Sequence, residues 1–240
     1  MDRDIQEKLL DLNRSFYEVH AGSFSATRQK LQPGVKCLAD RLLQADSFQN
    51  ILDLGCGNGR LAAYLEQHNF NGNYLGLDVS QELINVARST SHYRFFRIDL
   101  ADPGWGTIIP QAPFDQVMAF AVLHHFPGEE VQLKFLSEVH RLLSPGGCFV
   151  HSEWQILRNP RLAKHILPWE TIGLSGAQVE AGDVLVDWRA DGEQGLRYVH
   201  GFTIDELAEL AAKSGFEIEE TFFADGREGN LGLYQVWKDI

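Results

Sequence analysis

Ile51-Leu52-Asp53-Leu54-Gly55-Cys56-Gly57-Asn58-Gly59 decides the reading of this chain. It opens as a short apolar strand and runs directly into three glycines spaced GxGxG, with a helical pattern following over Arg60–Gln67. Glycines in such a place let the backbone turn tightly and bring N–H groups close to a ligand at a helix N-terminus. Dinucleotide folds use GxGxxG to hold a pyrophosphate. Here the spacing differs, and Asp53 stands two residues before the first glycine. A carboxylate there repels a pyrophosphate and suits an ammonium group.

Three further signals follow at the ends of apolar runs. Gly76-Leu-Asp78-Val79-Ser80 places an acid where a ribose diol is bound in βαβ units. Arg97-Ile-Asp99-Leu100 offers an acceptor for an adenine amine and an apolar side chain for its ring. Phe114-Asp115-Gln-Val and Ala121-Val-Leu-His124-His125 close the fourth run. A ligand with an ammonium, a ribose and an adenine but no phosphate is S-adenosylmethionine.

Working outward, strands are expected at 51–54, 74–77, 94–98, 114–121 and 148–153, with helices at 60–67, 81–88 and 130–143 between them. This alternation predicts a parallel sheet covered on both faces, wound in a doubly wound α/β order. Upstream, a helix is expected over 5–12, a polar loop over 22–32, and a helix from Pro33 through Leu43. Downstream, residues 155–200 break the rhythm and read as a substrate-side insertion over the carboxyl edge of the sheet. A helix at 205–214 and an antiparallel pair of strands at 216–223 and 231–237 complete a single domain spanning 1–240, with 1–46 as its N-terminal helical segment.

Bulk properties narrow the function. The 240 residues are 44% hydrophobic and 22% charged, which suits one globular core. No apolar run approaches the roughly 18 residues of a membrane span, and the first residues lack the pattern of a signal peptide. Cys37, Cys56 and Cys148 are widely spaced and read as reduced thiols in a cytoplasmic protein, with no metal site. The net charge of −12 opposes non-specific nucleic-acid binding. Residues 1–50 are balanced, however, with seven basic and seven acidic side chains.

The run ILDLGCGNG, YLGLDVS, FRIDLAD, FDQVMAFAVLHHF and LLSPGGCFV resembles the class I methyltransferases over Ile51–Glu153. That resemblance implies a Rossmann-like, seven-stranded sheet with the last strand antiparallel. The candidate cofactor-binding residues are Tyr17, Arg28, Asp53, Gly55, Cys56, Gly57, Asp78, Val79, Asp99, Leu100, Phe120 and Ala121.

Three flanking segments bear on the acceptor: Phe24-Ser-Ala-Thr27-Arg28, Gly182-Asp183-Val-Leu-Val-Asp187-Trp188, and Leu196-Arg197-Tyr198-Val-His200-Gly-Phe202. In order and spacing they are similar to the tRNA wobble-uridine methyltransferases that esterify a 5-carboxymethyl group. The chain departs from that pattern at Arg60, Gln32-Pro33-Gly34, Asp187 and Val199. The resemblance implies a tRNA partner and a carboxylate acceptor. A carboxylate is ionised near neutral pH and needs positioning and desolvation rather than a base. Arg28, Arg197, Tyr198 and His200 are expected to line one acceptor cavity, with His124 as a further catalytic candidate. Arg197 also reads as a surface ion-pair partner of Asp191 or Glu193. Arg14, Lys30, Arg158, Arg161 and Lys164 are the residues available for a positive collar. Two other readings stay open: a small-molecule O- or N-methyltransferase using His124 or His125 as base, and a cofactor-binding scaffold that acts through a protein partner. An activating partner is compatible with the enzyme readings.

Overall fold

The structure, a computed structural model, describes residues 1–27, 30–109, 113–190 and 192–240. Helix α1 (Arg3–Val19) starts at Asp2, whose side chain accepts the Asp4 N–H. It runs seven residues beyond the expected end, because its buried stripe of Leu9, Asn13 and Phe16 continues past Leu12. The loop expected over 22–32 is in part helix α2 (Ala21–Ala26), which packs against α5 (Gln81–Thr90). Polar composition suggested a loop there, and tertiary packing overrides it. Helix α3 (Pro33–Leu43) begins at the proline, as the sequence indicates.

The alternating core then follows: β1 (Gln49–Leu54), α4 (Arg60–Gln67), β2 (Gly72–Asp78), α5, β3 (Arg94–Arg97), β4 (Phe114–Phe120), α6 (Glu129–Leu142) and β5 (Leu143–Trp154). Strand β5 starts five residues earlier than its apolar run, because an irregular register with β4 absorbs Pro145–Gly147. After the 155–200 segment come α8 (Ile204–Lys213), β9 (Phe216–Ala224) and β10 (Gly232–Asp239).

The seven strands are ordered β3-β2-β1-β4-β5-β10-β9. The first five are parallel, and β10 is antiparallel to both β5 and β9. Two apolar layers cover the faces. One is built on α6 and α8 with Phe135, Phe149 and Trp237, the other on α3, α4 and α5 with Leu38, Leu65 and Ile84. The chain leaves β1 toward β2 on one side and reaches β4 on the other. A crevice therefore opens at the carboxyl ends of β1 and β4, where open α/β sheets take ligands.

The 155–200 segment is not irregular. After the short helix α7 (Pro160–Ala163), it forms a three-stranded antiparallel sheet from β6 (Ile166–Leu167), β7 (Asp183–Ala190) and β8 (Glu193–His200). Strand β8 packs on α1. Asn13 joins the two by copying a strand edge: its Oδ1 accepts the Tyr198 N–H at 2.9 Å, and its Nδ2 donates to the Tyr198 carbonyl at 3.1 Å. No helix among the described residues is long and apolar enough to cross a membrane.

Candidate cofactor and acceptor site

A cavity of about 1100 Å³, its mouth included, fills the crevice, with α1 as its roof. Its floor is the β1–α4 loop. Gly55 and Gly57 hold φ of +68° and +57°, a region other residues enter only with strain. A Cβ on Gly55 would meet Val122 at 2.5 Å, whereas one on Gly57 would meet nothing within 4 Å. The Gly57 backbone thus faces open space that a ligand can approach closely. Beside it, Ala121 holds φ of +60° at the end of β4. Such strain in a non-glycine residue costs roughly 1–3 kcal/mol and marks functional sites.

Side chains at or just past the carboxyl ends of the parallel strands line the cavity. Asp78 ends β2, with Oδ2 accepting the Gly57 N–H and Oδ1 the Ser80 N–H, both at 2.9 Å. Burial raises its pKa to about 6, and those N–H groups oppose the rise. Asp99, after β3, accepts from Ala101 N–H and from Arg14 Nε of the roof helix. Tyr17, Cys56, Val79, Leu100 and Phe120 also line the wall. So does Gln32, whose buried Oε1 has no donor among the described residues. An orphaned acceptor, a bare glycine backbone and a carboxylate fit a ligand carrying an ammonium and a ribose. Asp78, Gln32, Gly57 and Leu100 are the residues that would hold it.

Several expected site residues lie elsewhere. Asp53 does not line the cavity. It is buried beneath the loop, takes a hydrogen bond from Tyr74 OH, and burial raises its pKa to about 7. Its side chain points from β1 into the layer below the glycines rather than up to the ligand.

Tyr198 and His200 are not in the cavity either. Side chains alternate along a strand, and both fall on the face of the β7–β8 hairpin that carries Asp183 of β7. Its Oδ1 takes Tyr198 OH and His200 Nδ1, each at 2.7 Å. His124 is sealed, with Nδ1 at 2.8 Å from Glu153, and burial drives its pKa well below the usual range. A group so enclosed touches no acceptor. Arg14, expected in a positive collar, is instead neutralised by Glu7, Asp11 and Asp99. Arg28 lies outside the described residues.

His125, the neighbour of His124, is the imidazole that lines the cavity. Both its nitrogens are committed. Nδ1–H donates to the Tyr198 carbonyl at 3.0 Å, and Nε2 accepts from Tyr17 OH at 2.9 Å. Burial pushes its pKa down to about 3. The sequence offers two adjacent histidines and no signal that separates them. The 3-10 turn Leu123–His125 separates them, turning one toward Glu153 and the other toward α1.

Arg197, on the other face of β8 from Tyr198, does not line the cavity itself but lies behind Trp154 and is only 4% exposed. Its guanidinium carbon sits 4.6 Å from the Phe16 ring centre and 4.7 Å from that of Trp154, which lines the cavity. Nε and Nη1 have no acceptor among the described residues. The described acids of the hairpin are engaged, Asp183 as above, Asp187 with His165 and Arg189, and Glu193 with His20, while Asp191 lies outside the described residues. Contact with two rings recovers about 0.5–2 kcal/mol each. A buried, unpaired charge costs several kcal/mol.

Comparison with known proteins agrees with this geometry. A family model described as a methyltransferase domain matches residues 26–221. The tRNA (carboxymethyluridine(34)-5-O)-methyltransferase of Macaca fascicularis is 33% identical over 58% of this chain, which spans 19% of that protein. A putative methyltransferase of Encephalitozoon cuniculi is 27% identical over 87% of this chain and 91% of its own length. Among solved structures, magnesium protoporphyrin IX methyltransferase from Synechocystis with bound S-adenosylhomocysteine superposes with a TM-score of 0.66. It covers 95% of this chain and 98% of that one, at 16% identity. The chain belongs to the methyltransferase domain family of S-adenosylmethionine-dependent enzymes.

Proposed function

We propose that this enzyme methylates a carboxylate oxygen, and that the acceptor is the 5-carboxymethyl group of a tRNA wobble uridine. The observation that carries this reading is the state of His125. The imidazole in the cavity already donates through one nitrogen, accepts through the other, and is a very weak base. An acceptor that must lose a proton to react finds no help there. A carboxylate arrives ionised.

The bound cofactor supplies an electrophilic methyl group on a sulfonium. The chain's own contribution is to place the acceptor in line and to exclude water. Helix α1 roofs the cavity with Leu10, Asn13 and Tyr17, and Trp154 and Phe126 close the acceptor side. Tyr17 is held by His125 so that its oxygen faces the cavity with a fixed proton direction. The tRNA acceptor is supported by the relative of that name and by the order of the flanking segments. Arg158, Arg161 and Lys164 are exposed on and beside α7, free to meet phosphates.

A second reading, a small-molecule carboxylate acceptor, is favoured by the net charge of −12 and by the acids that neutralise Arg14. Incubating the protein with labelled cofactor, bulk tRNA and a metabolite extract separates the two. Label in a tRNA nucleoside that carries the carboxymethyl ester supports the first. Label confined to metabolites rejects it.

A further inference from the structure

We infer that Arg197 is the anchor for the acceptor's carboxylate, in a slot between Phe16 and Trp154 that opens on the cofactor cavity. This rests on the carboxylate reading above and names the group that recognises the acceptor. Arg197 is buried and carries two N–H donors, Nε and Nη1, that have no acceptor among the described residues. Buried donors in a folded protein are nearly always satisfied. Rings at 4.6 and 4.7 Å compensate the charge but take no in-plane hydrogen bond. What is missing is a planar anion, and a carboxylate matches the guanidinium fork.

The position is as specific as the chemistry. Trp154 belongs both to the slot and to the cavity wall. The next residue, Tyr198, holds His125 through its carbonyl, so Arg197 stands one residue from the contact that fixes the cavity's imidazole. Phe16 lies next to Tyr17, which lines the cavity. Asp183, Asp187 and Glu193, the acids of the hairpin among the described residues, are each bound elsewhere.

The test uses the whole protein saturated with S-adenosylhomocysteine, with arginine labelled at nitrogen. The Nε–H resonance of Arg197 is assigned by its loss in Arg197→Lys. Acetate, titrated through the molar range, is expected to move this resonance downfield, and acetamide to leave it in place. With 5-carboxymethyluridine, Arg197→Gln is expected to weaken binding about tenfold or more while cofactor affinity holds. A resonance that ignores acetate, or answers acetamide equally, overturns the anchor. So does one that moves on adding S-adenosylhomocysteine alone, since the cofactor's own carboxylate would then fill the slot. If Arg197 responds as expected and the transferred methyl is not an ester, the slot stands and the proposed reaction falls. If the ester forms and Arg197 is silent, the anchor alone falls.

Discussion

Asp53 and Asp78 stand at the carboxyl ends of adjacent parallel strands, and both are buried, yet they serve opposite purposes. Asp78 faces the cavity with its charge supported by two backbone N–H groups. Replacing it by Asn removes an acceptor and turns an amide toward one of those donors. Cofactor affinity is expected to fall by about 1.5–3 kcal/mol, roughly tenfold to a hundredfold, measured by calorimetry at pH 8. Wild-type affinity should also decline as pH drops through about 6, where Asp78 takes up a proton.

Asp53 faces inward. Its pKa is raised from an ordinary 3.8 to about 7. The folded state therefore binds that proton more tightly than the unfolded chain does. Its contribution to stability is full below about pH 4 and is lost as pH rises through 7. Asp53→Asn keeps an acceptor for Tyr74 OH and removes the buried charge. It should raise stability by about 1–4 kcal/mol at pH 8 and change little at pH 4. Thermal unfolding at the two pH values checks this, and equal effects at both would count against the buried charge.

At the scale of the element, strand β8 sorts the acceptor segment by alternation. Arg197 goes to one face and Tyr198 and His200 to the other. Tyr198→Phe deprives the buried Asp183 carboxylate of a donor and should cost about 1–3 kcal/mol of stability, with cofactor affinity unchanged. A loss of cofactor binding without a loss of stability would return Tyr198 to the cavity. The glycine loop and the strand ends were legible from sequence because each pairs a backbone demand with a residue type at a fixed offset. The hairpin was not legible. Its Gly182–Trp188 and Leu196–Phe202 segments read as functional motifs, and nothing in a linear motif says that Asp183 and Tyr198 pair with each other. The His124–His125 dipeptide failed for the same reason, since a turn of three residues sends the two rings apart. The role of α1 was half visible. Its apolar stripe announces burial, but Asn13, which fastens it to β8, looks like any polar surface residue.

For the molecule as a whole, the charge of −12 and a nucleic-acid acceptor are compatible only if the protein meets phosphates locally. The exposed residues Arg158, Arg161 and Lys164 are a cluster of that kind. Reversing all three to Glu should weaken tRNA binding and flatten its dependence on salt by about one unit for each phosphate no longer neutralised, leaving cofactor affinity intact. Unchanged tRNA binding would direct attention to a small-molecule acceptor. The central claim is that the methyl group goes to a carboxylate, since the imidazole that lines the cavity cannot serve as its base. It is tested most directly by treating the labelled product with mild alkali. The account predicts that the label is released as volatile methanol, as from an ester. Label that survives the alkali, fixed on nitrogen, carbon or an ether oxygen, would contradict it.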